Sequence, residues 1–367
     1  MHSADSVGRH RPEPPHPYRG PFQRDRDRIL HSAAFRRLAG KMQVFTDEMG
    51  SYHRTRLTHT FEVASVARTI ARVLRLNEDL VEALALMHDI GHPPYGHCGE
   101  DVLQECLADH GGFSHNQFAL TIVAELEERA GETPGLNLSL EVLSGQAQRA
   151  DKRGKRVAAT ALLEVQIVDL ADSIAYDAHD TDDALQLGLV ELADLEPLAI
   201  VRRAWKRVED AGLRQGTQHG TPPPRLRRAL VHALIDLQVE DLLEHASLQL
   251  LPWAGRDRIA VLDAGLQLSH SSALATERLE LEQFLFHRVY RHPRLEAVRQ
   301  HAGARLAALF TALLENPLRM PLRFRLRSEQ VGIPTAIGEY IAGMTDRFCD
   351  RQSAALHAGP GPLADWS

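Results

Sequence analysis

A helix-patterned run over residues 78–88 ends on His88-Asp89 and is stopped at once by Gly91, Pro93 and Pro94. Proline has no amide N–H and its ring clashes with the preceding helical turn, so the chain must turn here and both side chains sit at a rigid corner. Ahead of this corner, Phe61, Ala64, Val66, Ala67, Ile70, Ala71 and Leu74 recur at helical spacing within residues 57–76. Residues 24–45 place Ile29, Leu30, Ala33, Phe35 and Leu38 on one buried helical face, with Gly40 as its stop. The pattern returns over 99–110, 114–129 and 162–187, and helices dominate from 226 to 351. No internal repeat and no series of short alternating strands interrupts it. The chain reads as all-α.

Polar stretches suggest its divisions. Residues 1–22 read as a flexible leader, 23–211 as a helical core, 212–225 as a loop, 226–351 as a C-terminal helical region and 352–367 as a tail that frays. The polar run 146–156 reads as an exposed loop.

Hydrophobic residues make up 44% of the chain, enough for a sizeable core, yet no stretch reaches the length of apolar sequence that crosses a bilayer. The first twenty residues carry charge and proline where an export signal needs an apolar segment, so the expected location is the cytoplasm. Cys98, Cys106 and Cys349 are too few and scattered for a disulfide framework or a thiolate cluster, which leaves metal binding to histidine and carboxylate. The net charge of −7 argues against a chain that coats nucleic acid. Residues 1–60 nevertheless hold eleven Lys and Arg against six Asp and Glu, so an anion could be gripped there, with nucleic acid a secondary partner.

Three segments carry ligands suited to a divalent ion: His59, the pair His88-Asp89, and Asp172 in the helical stretch 163–180. A catalytic ion needs imidazole and carboxylate ligands that leave positions open for water and substrate, and this set points to hydrolysis at phosphorus. Manganese or magnesium is the expected ion, with Fe, Co, Ni or Zn as further options. Beyond the corner, His97 and Glu100 are one near-turn of helix apart and can face each other. A carboxylate bonded to one ring nitrogen fixes the tautomer and readies the other nitrogen for proton transfer. His97 would orient the attacking water or protonate the departing oxygen; the spacing does not choose. His92 reads as a residue behind the ligands. Asp172, Tyr176 and Asp180 are spaced by four and share a helical face.

These segments, with RDRDRILHSAAFRRLAGKMQVF, TRLTHTFEV, HDIGHPPYGHCGE, FSHNQ and DLADSIAY, closely resemble the deoxyguanosine triphosphate triphosphohydrolases of the HD-domain class. The resemblance is densest over 24–124 and 162–185 and continues through FLFHRVYRHP and EYIAGMTDR. It implies an HD-domain helical bundle over 23–211, a nucleotide pocket completed by the C-terminal helical region, and hydrolysis of a deoxynucleoside triphosphate at the α-phosphate. It implies that His115 contacts phosphate or assists His97, that Tyr176 packs near the deoxyribose, that Asp180 contacts substrate, and that Gln43 and Arg56 meet sugar and phosphates. A homo-oligomer and an allosteric deoxynucleotide are further implications. The other readings open at this stage are a different HD-type nucleotide phosphohydrolase and a protein that senses deoxynucleotides or single-stranded DNA with little turnover.

Overall fold

The computed structural model describes residues 3–43, 54–129, 134–151, 157–158, 160–212, 222–256, 258–358 and 361–366. Its helices, in chain order, are α1 (Pro21–Leu30), α2 (Ala33–Arg37), α3 (Arg56–Val73), α4 (Glu78–Met87), α5 (Gly96–Cys106), α6 (His115–Thr121), α7 (Leu140–Asp151), α8 (Leu163–Gln186), α9 (Leu192–Leu195), α10 (Ala199–Asp210), α11 (Pro224–Leu250), α12 (Arg258–Asp263), α13 (Ser272–Leu285), α14 (Pro293–Glu315), α15 (Leu322–Val331), α16 (Ile333–Ala342) and α17 (Asp346–Ala358). Among the described residues there is no strand, only three isolated bridges. The fold is all-α, as the periodicity requires. No described helix is long and apolar enough to cross a membrane.

The chain forms two compact units, one built from 62–81 and 156–296, the other from 2–61, 82–155 and 297–367. In the first, α8 packs along α11, and α10 lies against α11 and α13. Ile167, Val168, Ala171, Ile174, Ala175 and Ala178 form the buried stripe of α8, at the spacing that holds one helical face against a core. In the second unit, Ile29, Phe35, Leu38, Leu84, Met87, Ile90, Leu103, Phe118, Phe324 and Ile337 are buried, and α6 packs on α7.

Residues 24–45 do not form one helix. Ser32 separates α1 from α2: its hydroxyl accepts the Phe35 amide at 3.1 Å and donates to the Ile29 carbonyl at 2.7 Å. Glu127 adds a carboxylate that accepts the amides of Ala33 (3.0 Å) and Ala34 (2.6 Å), satisfying the exposed donors of the new N-terminus. Residues 44–53 lie outside those described.

The run 146–151 is also not a loop. It is the last part of α7, with Gln146 and Arg149 buried, because polar side chains on that face find partners in the interior; 152–156 lie outside the described residues. The leader is bonded down rather than detached. Arg9 pairs with buried Asp25, the Val7 amide donates to Glu141 at 2.6 Å, and Glu13 accepts from Arg129 (3.1 Å) and Asn137 (2.7 Å) besides pairing with Arg24 and Arg28. Ion pairs and hydrogen bonds through Arg9, Glu13 and the Val7 amide supply what the segment lacks in apolar burial.

The tail docks as well. Leu363 is buried, the Tyr340 hydroxyl donates to the Ala364 carbonyl at 2.5 Å, and the Trp366 indole N–H donates to the Tyr340 carbonyl at 2.7 Å. The indole lies between Arg37 and Arg323, each guanidinium 4.0 Å from the ring centre. Gly343 leaves it room, since a Cβ there would lie 2.1 Å from the ring.

Candidate active site

α3 starts at Arg56 and carries His59 in its first turn, while α4 ends at Met87 and delivers His88 and Asp89 just past its last residue. All three ligand candidates are buried. One donor atom from each of His59, His88 and Asp89 lies within 4.8 Å of the others, and His88 Nε2 is 3.5 Å from Asp89 Oδ1. Two ligands at right angles on an ion with bonds of about 2.1 Å stand about 3 Å apart, so the spacing suits a single cation. His88 Nδ1 is 2.6 Å from the Ala85 carbonyl. A carbonyl only accepts, so Nδ1 carries the proton and Nε2 presents its lone pair on the Asp89 side. Burial alone would raise the Asp89 carboxyl, but the nearby His88, His92 and Arg56 outweigh it and hold Asp89 well below the usual carboxylate range. The donor set of two imidazoles and one carboxylate therefore fits a divalent metal.

Arg56 is almost fully buried and donates from Nη1 to Asp89 Oδ2 at 2.9 Å and from Nη2 to the Gln43 carbonyl at 3.4 Å. It orients the second oxygen of the Asp89 carboxylate. Gln43 is half-buried at the edge of the described chain, its amide bonded to the Arg54 carbonyl at 3.1 Å.

A second cluster abuts this one within the same unit. Gly91 makes it possible: a Cβ at that position would lie 2.0 Å from the His115 carbonyl oxygen and 2.6 Å from the Ala119 nitrogen, so only glycine lets α6 come this close. The His115 ring stacks on His92 with centroids 3.7 Å apart, and His92 Nδ1 is 3.0 Å from Asp89 Oδ1. Glu100 accepts from the His115 backbone N–H at 2.9 Å, from His115 Nδ1 at 2.8 Å and from His97 Nδ1 at 3.3 Å. Burial would raise the Glu100 carboxyl, but the bonds from His115 and His97 prevail and keep it far below its ordinary value. Burial, with Arg56 close by, holds His92 well below the usual histidine range. His97 is the open member, its side chain 54% exposed.

Thus the structure unites His59, His88 and Asp89 in one cluster and His97, Glu100 and His115 in another, with His92 touching both. The remaining candidates, Asp172, Tyr176 and Asp180, lie on α8 in the other unit. There Asp180 is buried and accepts from the Tyr290 hydroxyl, and the rings of Tyr176 and Tyr290 stand 5.9 Å apart.

Several contributors are not apparent from sequence pattern. Asn116 donates from Nδ2 to His115 Nε2 at 2.9 Å, and its Oδ1 accepts from Gln146 Nε2 at 3.0 Å. Asn116 follows His115 directly, which is the one signal that marks it; Gln146 sits in the run whose polarity suggests a loop. Tyr290 closes a single π-helical turn, Phe286–Tyr290, a distortion common at functional positions but invisible in side-chain periodicity.

Comparison with known proteins agrees with this geometry. The HD domain family matches residues 56–177, a span that holds every residue of both clusters, and the phosphohydrolase-associated domain matches 268–355. A deoxyguanosinetriphosphate triphosphohydrolase-like protein of Geobacter sulfurreducens is 39% identical over 356 residues, covering 94% of this chain and 91% of its own. The protein of that name from Thiobacillus denitrificans is 39% identical over 97% of this chain and 96% of its own. The Brucella ovis protein is 40% identical over 96% and 93%.

Proposed function

Because this chain belongs to the HD-domain family of deoxyguanosinetriphosphate triphosphohydrolase-like proteins, which are phosphohydrolases, we propose that it hydrolyses a deoxynucleoside triphosphate at the α-phosphate, releasing deoxynucleoside and tripolyphosphate. The observation that carries this reading is the buried His59, His88 and Asp89 cluster set directly against the His97, Glu100 and His115 cluster. The first is a metal centre; the second handles protons.

A divalent ion, Mn or Mg on this reading, supplies charge neutralisation at the phosphate and lowers the pKa of water from about 16 towards neutrality. His59, His88 and Asp89 hold it, with Asp172 proposed as the fourth ligand from its order in the family-matched span. Arg56 keeps Asp89 ionised and oriented. His115 is locked between Glu100 and Asn116, so it positions rather than moves protons. His97 is exposed and bonded to Glu100 through Nδ1, which leaves Nε2 of the imidazolium form to donate its proton to the departing 5′-oxygen as the P–O bond breaks, the proton lost by the attacking water restoring that form. Tyr176 and Asp180 are proposed to bind the sugar, with Tyr176 excluding a 2′-hydroxyl, because burying that group unpaired is costly. Gln43 is proposed at the same end of the substrate.

The test is a panel of deoxynucleoside triphosphates, singly and mixed, with added Mn²⁺ and product identification. Inorganic tripolyphosphate with free deoxynucleoside is the expected result. Orthophosphate or pyrophosphate alone would move the chain to another phosphohydrolase reaction. Tight binding of deoxynucleotide without product would make it a sensor.

A further inference from the structure

Two buried ionisable side chains outside the His59, His88 and Asp89 set grip the loop that carries His92 and leads into the first turn of α5, where His97 sits. Lys41 is 2% exposed, and its ammonium donates to the carbonyl of His92 and, at 2.8 Å, to that of Ala342, the last residue of α16. Among the described residues it has no carboxylate at ion-pair distance. Setting an ammonium on two neutral carbonyls costs more than an apolar side chain of similar length would, so stability alone does not account for a lysine here.

Asp346, the first residue of α17, holds the same loop from another direction. Its Oδ2 accepts the Met42 amide at 3.0 Å and its Oδ1 accepts the Tyr95 amide at 3.0 Å. Tyr95 has a φ of +62°, a left-handed backbone that a residue with a Cβ enters at a cost and keeps only when its surroundings hold it there. The Tyr95 hydroxyl is bonded to Asp350 at 2.7 Å, one turn further along α17. Gly40 lets the chain approach the corner, since a Cβ there would lie 2.8 Å from Thr345 Cγ2.

We propose that Lys41 and Asp346 are positioning residues of the active site: from the corner between α16 and α17 they hold residues 92–97 so that His92 stacks under His115 and His97 faces Glu100. This rests on the phosphohydrolase reading above. It also gives the C-terminal helices α16 and α17 a part in placing the reacting groups.

The experiment compares Lys41→Met and Asp346→Asn with Trp366→Ala, which loosens the tail on α16 but does not touch the loop. Both positioning variants are expected to fold and to bind Mn²⁺ within about two-fold of wild type. Their kcat should fall about 30-fold, with KM for the best deoxynucleotide changed less than about three-fold, as misplacement of reacting groups dictates. Trp366→Ala should unfold at lower temperature with kcat unchanged. Retention of kcat by folded Lys41→Met and Asp346→Asn, or equal loss of kcat in Trp366→Ala, overturns the proposal. If Lys41→Met does not fold, Asp346→Asn alone decides between the two outcomes on the same criteria. Histidine ring NMR spectra of the metal-free proteins give a readout independent of turnover. The positioning variants should shift the His92 and His97 signals while Trp366→Ala leaves them in place, and unshifted signals overturn the proposal even if wild type turns over no deoxynucleotide, a result that by itself would sink only the functional reading.

Discussion

Glu100→Gln removes one charge from the centre of the His97, Glu100 and His115 cluster while preserving shape. The carboxylate accepts three N–H groups, from the His115 backbone, His115 Nδ1 and His97 Nδ1. An amide offers one oxygen and turns an NH₂ toward donors, so at least one ring nitrogen must change tautomer or lose its bond. Each hydrogen bond to a charged acceptor contributes about 1.5–3 kcal/mol, and the one to His97, at 3.3 Å, is the longest and the first to go. If His97 delivers the proton to the leaving oxygen, releasing it should cost about 100-fold to 10,000-fold in kcat, which is about 2.7–5.4 kcal/mol of barrier. The assay is tripolyphosphate release at saturating deoxynucleotide, with Mn²⁺ affinity measured by calorimetry on the same preparation. Metal affinity should hold, because Glu100 lies outside the His59, His88 and Asp89 group proposed to hold the ion. A folded Glu100→Gln protein with kcat within about three-fold of wild type would show that the cluster is structural and that proton transfer is done elsewhere.

Three further outcomes follow from the same geometry. Asp89→Asn should lower Mn²⁺ affinity at least about 100-fold and abolish turnover, since an acceptor held ionised by Arg56 becomes neutral; calorimetry and product assay check it. Gly91→Ala should destabilise the fold by about 1–3 kcal/mol and cut kcat, because its Cβ meets backbone atoms of α6 that have no rotamer with which to yield; a thermal melt and kcat measure both effects. Metal-free protein should lose stability as pH falls. Asp89 and Glu100 stay ionised in the folded chain below the pH, about 4, at which unfolded carboxylates take up protons, so their contribution is complete above that value and disappears as pH drops towards their folded pKa values. Urea midpoints from pH 3 to 7 should therefore fall on the acid side, and less steeply in Glu100→Gln.

The helices around the active site are legible wherever a local rule acts alone. Apolar spacing over 57–76 corresponds to α3, and the Pro-Pro stop places His88 and Asp89 just beyond α4. The spacing of His97 and Glu100 is that of one helical turn, and their contact follows from it. Local rules fail where a distant partner competes. The chain breaks at Ser32 because Glu127, far along the sequence, caps the new helix end, and no pattern within 24–45 contains that carboxylate. Gln146 escapes a local rule in the same way, because a glutamine that opens a polar run looks solvated until Asn116 gives it a buried partner.

Residue type, order and helical period by themselves determined the all-α class and the corner that presents His88 and Asp89, because each depends on atoms within a few residues of one another. Which side chain answers which was decided only by tertiary structure. His115 takes the shortest bond to Glu100, Arg56 turns inward to Asp89, Lys41 spans two carbonyls, and the leader and tail are bonded to the body rather than left loose. Hydrogen bonds and close packing act over a few ångströms between groups that chain folding, not sequence proximity, brings together, and a buried polar atom takes whichever partner the fold supplies.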